Sequence, residues 1–232
     1  HLFNTSMVFL FCIRLTRNTI AAGIAACLFG VHPVHVESVA WIAERKDLLF
    51  TFFALGALIL YDIFRKYPGK RFVQAAGMIM FLCSLLSKPQ AVALPLVLFF
   101  IDYFYDDALD FRLSVRRIWP YAAVALIACG MTVYMSVITQ QAGFSVDSPI
   151  NAYAWWNRPF LVTYSICFYI VKLFWPFNLT AWYACPDEIN GMLPSLYYLS
   201  AVYTAVLFLA AWWLWKRWKR LVFGIFFFLL ML

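Results

Sequence analysis

Charge is what this chain has least of. Only 12% of its 232 residues are Asp, Glu, Lys or Arg, and 65% are hydrophobic; an ordinary soluble domain carries about a quarter charged residues. A mean hydropathy of +0.81 points the same way. That balance excludes a water-soluble globular domain and makes lipid the solvent. Paired cysteines are also missing. Cys12, Cys27, Cys83, Cys129 and Cys167 stand alone in apolar runs, and Cys185 stands in a loop. Without CxxC or a close pair, neither a disulfide framework nor a structural zinc site is expected, and the thiols read as small packing residues. No signal-peptide layout opens the chain. His1 already lies in an apolar run (2–13) and Leu232 in another (221–232), so both ends are expected to be cuts through longer hydrophobic segments.

What is present is apolar and aromatic. Aromatic residues make up 20% of the chain, including 24 Phe and 10 Trp, which suits a helical bundle with interfacial belts. A helix rises about 1.5 Å per residue through a hydrocarbon layer about 30 Å thick, so a span needs roughly 17–25 apolar residues. Apolar runs occur at 2–13, 19–34, 48–64, 72–87, 90–105, 118–139, 160–177, 194–215 and 221–232. As one helix, 72–105 would be about 51 Å long, too long to cross once. Ser87-Lys88-Pro89 divides it, because proline removes a helix donor and clashes with the preceding turn. The expectation is an all-α polytopic transmembrane bundle of roughly eight spans, with 1–232 forming one membrane domain.

Basic residues cluster in alternate connections: Arg14 and Arg17; Arg65, Lys66, Lys70 and Arg71; Arg112, Arg116 and Arg117; Lys216, Arg217, Lys219 and Arg220. The positive-inside rule places all four groups in the cytoplasm. The outer face then holds 32–47, the Lys88 turn and the stretch from about 140 to 193. Were 160–177 a span, the last basic group would fall outside. A helix lying along the outer surface, with Arg158 and Lys172 and ended by Trp175-Pro176, keeps every group inside. Trp212, Trp213, Trp215 and Trp218 read as an aromatic belt with a positive-inside anchor rather than a nucleic-acid platform. No nucleic-acid partner is expected.

The outer face carries the polar chemistry. His32, His35, Glu37, Trp41, Glu44, Arg45 and Asp47 all fall within 32–47. If the part from His35 is helical, Glu37, Trp41, Glu44 and Arg45 lie near one face. Carboxylate, cation and aromatic ring together suit a sugar or phosphate; an ordinary amphipathic loop helix with a solvated tip is the plainer alternative. His32 and His35 lack a third firm ligand, so a divalent metal is not expected. Lys88 is placed either to meet a lipid-linked phosphate as a point charge or to snorkel as an anchor. Asp102, followed by Asp106, Asp107 and Asp110, reads as a helix-end residue nearing the cytoplasmic interface. Asn4-Thr5-Ser6 and Asn178-Leu179-Thr180 match the common glycosylation pattern and carry no argument.

The run from His32 through Asp47 resembles the second outer loop of the transmembrane-and-TPR-containing (TMTC) glycosyltransferases, bacterial relatives above all. Ser87-Lys88-Pro89, Leu94-Pro95 and Ile101-Asp102-Tyr103 resemble that family's next hairpin. Phe174-Trp175-Pro176-Phe177-Asn178-Leu179, with Trp182-Tyr183 after it, resembles its later outer motif. The family is similar to the wider GT-C enzymes, which transfer a sugar from a polyprenyl-phosphate donor on the lumenal or periplasmic side.

The resemblance implies a lipid-linked sugar as donor, a protein or glycan acceptor, and a bacterial inner membrane with the site facing the periplasm. It implies Arg45 and Lys88 at the donor phosphate and Glu37, Glu44 or Asp47 at sugar or acceptor. His32, His35 and Trp41 would shape the pocket. It also implies a catalytic base in a first outer loop ahead of His1 and TPR repeats beyond Leu232. A transporter or lipid flippase is the runner-up, weakened by apolar midplane segments and the lack of a convincing internal repeat. A non-catalytic scaffold anchoring a TPR domain is the third reading.

Overall fold

The computed structural model describes all residues except 106–109, 142–152, 181–182, 184–185, 187–190, 215–217 and 232, and only the backbone of 140, 141, 219 and 220. Asp106, Asp107, Trp182, Cys185, Trp215, Lys216 and Arg217 therefore lie outside the described residues. Those that are described form helices and short turns, with no strand among them. In order they are α1 (Leu2–Thr16), α2 (Thr19–Val31), α3 (Val36–Ala40), α4 (Arg45–Lys66), α5 (Arg71–Ser87), α6 (Leu94–Tyr105), α7 (Phe111–Gln141), α8 (Arg158–Phe174), α9 (Ser195–Leu214) and α10 (Lys219–Met231). The chain divides into two compact units, His1–Tyr134 and Met135–Leu230.

Helix ends sit where the residues demand them. Arg17 takes a left-handed conformation (φ 53°) to close α1, and its N–H returns to the Ile13 carbonyl. Asn18 caps α2 by accepting from the Ala21 N–H at 3.0 Å, and Asp110 caps α7 by accepting from Leu113 at 3.1 Å. As the proline requires, Lys88-Pro89 ends α5 and starts a tight turn into α6.

Those same breaks lower the number of spans. Three helical stretches among the described residues are long and apolar enough to cross a membrane: Ile42–Lys66, Phe111–Thr139 and Ser195–Leu214. Thr19–Val31 and Pro33–Ala40, bent by 48°, would add one broken or re-entrant crossing if taken together. Roughly eight straight spans are not supported. The apolar runs at α1, α5, α6 and α10 become helices of 12 to 17 residues, or about 18–26 Å; Lys88-Pro89 is what parts α5 from α6. At 17 residues, α8 is likewise not among the helices that qualify.

In the first unit α4 is central: half of its apolar window is buried against neighbours, compared with 6% for α7. Its buried residues include the unbroken run Ala54, Leu55, Gly56, Ala57 and Leu58 with Phe50, Tyr61, Asp62 and Phe64 on either side, so neighbours cover the middle of the helix on more than one face. Hydrogen bonds join position 4 of α1 to 48 of α4 and position 14 to 62, so these helices run parallel. The α5 helix runs antiparallel to α4, with Ser84 donating to the Phe50 carbonyl at 3.4 Å. Gly77 lets α5 approach where Tyr121 is buried edge-on to Tyr61 and tilted on Phe81.

In the second unit α8 lies along α9 through polar groups. Thr163 and Ser200 hydroxyls meet at 3.0 Å, and Cys167 Sγ is 3.5 Å from Thr204 Oγ1. Buried Asn157 donates to the Gly191 carbonyl at 3.0 Å and accepts from the Tyr198 hydroxyl at 3.2 Å. Trp212, Trp213 and Trp218 are exposed, as a belt facing lipid requires.

A Cβ at Gly77 would sit 2.9 Å from the Tyr121 hydroxyl, whereas one at Gly23 would meet nothing within 4 Å. Gly77→Ala should therefore cost about 1–3 kcal/mol, and Gly23→Ala should be neutral or stabilising by up to about 1 kcal/mol. Thermal unfolding of both variants in detergent, side by side, measures the contrast.

Candidate functional site

The segment 32–47 is a chain of short pieces, each with a local cause. His32 Nδ1 accepts from the Val34 N–H at 3.3 Å, and Pro33 fixes the first position of a 3-10 turn. The five-residue α3 follows and ends at Trp41, which is extended (φ −89°, ψ 122°). A second 3-10 turn, Ile42–Glu44, leads into α4. The extended Trp41 resets the helical phase. Glu37, Trp41, Glu44 and Arg45 therefore do not share the face that a continuous helix from His35 would have given them.

The histidines sit in an aromatic stack at the end of the α1–α2 hairpin. The His35 ring is tilted on Phe29 at 4.4 Å, and the His1 ring is stacked on Phe29 at 5.3 Å. His32 meets His35 edge-on at 6.3 Å. Among the described residues no three of His, Cys, Asp and Glu gather as metal ligands. Trp41 is exposed beside this segment.

Lys88 and Asp47 form an ion pair that joins this segment to the end of α5. Lys88 Nζ lies 3.0 Å from Asp47 Oδ1, both side chains being partly exposed (33% and 26%). The contact is ionic rather than a well-aligned hydrogen bond, since Oδ1 has no partner at a hydrogen-bonding angle. The placement is favourable on both sides. Asp47 stands in the first turn of α4 and Lys88 at the C-terminal end of α5, where the helix dipoles stabilise each charge. Lys46 reaches Glu44 at 3.4 Å. Glu37 and Arg45 are exposed and make no ion pair with a described residue. Glu37, Arg45 and Lys88 do not contact one another; the pairing the structure makes is Lys88 with Asp47.

Several residues take supporting roles that the sequence did not reveal. Buried Asn4 donates to the Leu48 carbonyl at 2.9 Å and fixes the start of α4 beneath Asp47. Asp102, three residues before the end of α6, is fully buried and accepts from the Tyr61 hydroxyl at 2.8 Å, so it is a core partner of α4 as well as a helix-end residue. In the second unit Lys172 donates to the Phe177 carbonyl and, at 3.2 Å, to that of Asn178. It thereby clamps the Trp175–Leu179 turn, with Asn178 in a left-handed conformation. The legible signal was polarity inside apolar runs: such groups are costly in lipid unless paired.

No family model matches this chain, and no solved structure matches it. Among curated proteins, a 177-residue region covering 74% of the chain is 38% identical to the protein O-mannosyl-transferase F38B6.6 of Caenorhabditis elegans. A 67-residue region, 26% of the chain, is 40% identical to the protein O-mannosyl-transferase TMTC3 of Mus musculus. The chain is TMTC-like. It is also short beside these relatives: the matches span 23% of the nematode protein and 7% of the mouse protein. Both relatives are animal proteins, so the TMTC likeness is supported, whereas the bacterial membrane and the wider GT-C grouping are not.

The ion pair of this TMTC-like chain can be measured directly. A double-mutant cycle on Lys88→Met and Asp47→Asn should give a coupling of about 1 kcal/mol, the scale of a partly exposed pair. Detergent-phase unfolding of the four proteins reads it; additive losses would mean that the two charges do not interact.

Proposed function

We propose that this chain is part of a membrane glycosyltransferase that moves a mannosyl group from a polyprenyl-phosphate donor to a protein hydroxyl. Similarity to proteins named protein O-mannosyl-transferases carries the reading. The site is assigned to the face bearing 32–47 and Lys88, the non-cytoplasmic side by the distribution of basic residues.

The reaction needs two things from the enzyme, a base and cations. The acceptor O–H must lose its proton to a base while its oxygen attacks the anomeric carbon of the sugar. The bond from that carbon to the phosphate oxygen then breaks, and its electron pair leaves with the polyprenyl phosphate. Cations must stabilise the charge that develops there. Exposed Arg45 offers a bidentate fork for phosphate. Lys88 is held at the same end of α4 by Asp47, and an incoming phosphate competes with Asp47 for it. Of the three acidic candidates, Asp47 is paired with Lys88 and Glu44 with Lys46, which leaves Glu37 to engage sugar or acceptor. His32, His35 and Trp41 form the neighbouring wall in this reading.

The test is mannosyl transfer from a polyprenyl-phosphate mannose to a Ser/Thr-containing peptide in proteoliposomes carrying the full-length protein. Wild type should transfer, and Arg45→Ala and Lys88→Ala should each lose about 100-fold, with folding confirmed by unfolding profiles. Transfer within about threefold of wild type in both variants would remove the phosphate roles. Failure of the wild type with every polyprenyl-phosphate donor would remove the enzyme reading itself.

A further inference from the structure

The opposite end of the first unit holds a cavity of about 510 Å³ that the transfer reaction does not use. Five cations line it, Arg14, Arg17, Arg65, Lys66 and Arg117, with Asp62 as the one carboxylate among the lining residues. They come from four places in the chain: α1, the turn after it, the end of α4 and the start of α7. Basic residues at helix ends ordinarily serve as topological anchors, each solvated separately. Here they converge on a concave space whose volume falls in the range of small-ligand sites, about 300–1,000 Å³.

The floor of the cavity is fixed. Arg14 contacts Asp62 Oδ2 through both Nε and Nη2 at 2.7 Å, so the carboxylate is already engaged. The Tyr105 hydroxyl donates to the Arg14 carbonyl at 2.8 Å, and the Arg65 guanidinium lies 4.0 Å from the centre of the Tyr105 ring. The remaining three cations, Arg17, Lys66 and Arg117, form no ion pair with any described residue. Arg17 and Lys66 are exposed and Arg117 half-buried, all within reach of a ligand. Gathering like charges around one space raises its positive potential, which an anion relieves. Ile13 and Leu113 add apolar wall. Basic pockets between helices on the cytoplasmic side are suited to the headgroups of anionic lipids.

We propose that this basin binds a phosphate-bearing anion, either an anionic phospholipid headgroup or a soluble phosphate. The site is independent of the transferase reading, since it lies at the other end of α4 from Lys88 and Asp47.

Calorimetric titration of the purified protein in neutral detergent tests it, with dioctanoyl phosphatidic acid, inorganic phosphate and zwitterionic dioctanoyl phosphatidylcholine as probes. Saturable binding of phosphatidic acid is expected, weakened about tenfold in the Arg17→Gln/Lys66→Gln double variant, as the loss of charge-assisted contacts implies. Both residues are exposed, so the fold tolerates the change. Arg71→Gln, which removes an exposed cation of the same face outside the basin, should bind as wild type does. Binding of the lipid alone identifies a headgroup site; equal binding of inorganic phosphate identifies a soluble anion as sufficient. No saturable binding of either anion, binding of the zwitterion as tight as that of phosphatidic acid, or equal weakening by Arg71→Gln would each overturn the proposal.

Discussion

Between helices surrounded by lipid, burying another apolar side chain gains little, because the lipid tails are as apolar as the side chain. Polar contacts and close packing must hold the helices instead, and in the first unit they gather on α4. Asn4 and Ser84 donate to carbonyls near its start, Tyr61 reaches Asp102 in its lower half, and Arg14 grips Asp62 near its end. Each contact comes from a different helix or reaches one, so α1, α5 and α6 are registered against a single axis. Gly77 completes the arrangement by giving the buried Tyr121 ring a place to rest.

That axis also separates two charged regions. At one end Asp47 and Lys88 pair across α4 and α5, each favoured by the dipole of its own helix, beside the exposed Arg45. At the other, cations outnumber their one carboxylate around a cavity. The first end offers a small number of cations, one of them already engaged by a carboxylate. The second offers an excess of positive charge, which favours an anion. In both places a carboxylate of α4 holds a cation of a neighbouring helix. The difference lies in how many cations are left over.

Much of this was legible in the sequence, and the parts that were not share a cause. Lys88-Pro89 divides α5 from α6 as proline chemistry requires, and α9 spans almost the whole of its apolar run. The outer segment was legible as polar but not as geometry. One extended residue, Trp41, breaks the helix, and the alignment of Glu37 with Glu44 and Arg45 goes with it. Roughly eight spans were expected and three helices among the described residues are long and apolar enough. Hydropathy reports what tolerates lipid, whereas helix length depends on caps such as Asn18 and on left-handed turns such as Arg17. That Asp102 pairs with the Tyr61 hydroxyl inside the first unit was not legible, because the two lie 41 positions apart.

By itself the sequence determined the solvent, the all-helical class, the clustering of the basic residues at helix ends and the positions of the proline breaks. These follow from local composition and backbone chemistry, which act within a few residues. Only the tertiary structure decided which charges meet. Lys88 finds Asp47 across 41 positions and Arg14 finds Asp62 across 48, because parallel and antiparallel packing around α4 brings distant helix ends to the same depth. Partnership at that range depends on helix direction and register, which no short stretch of residues encodes.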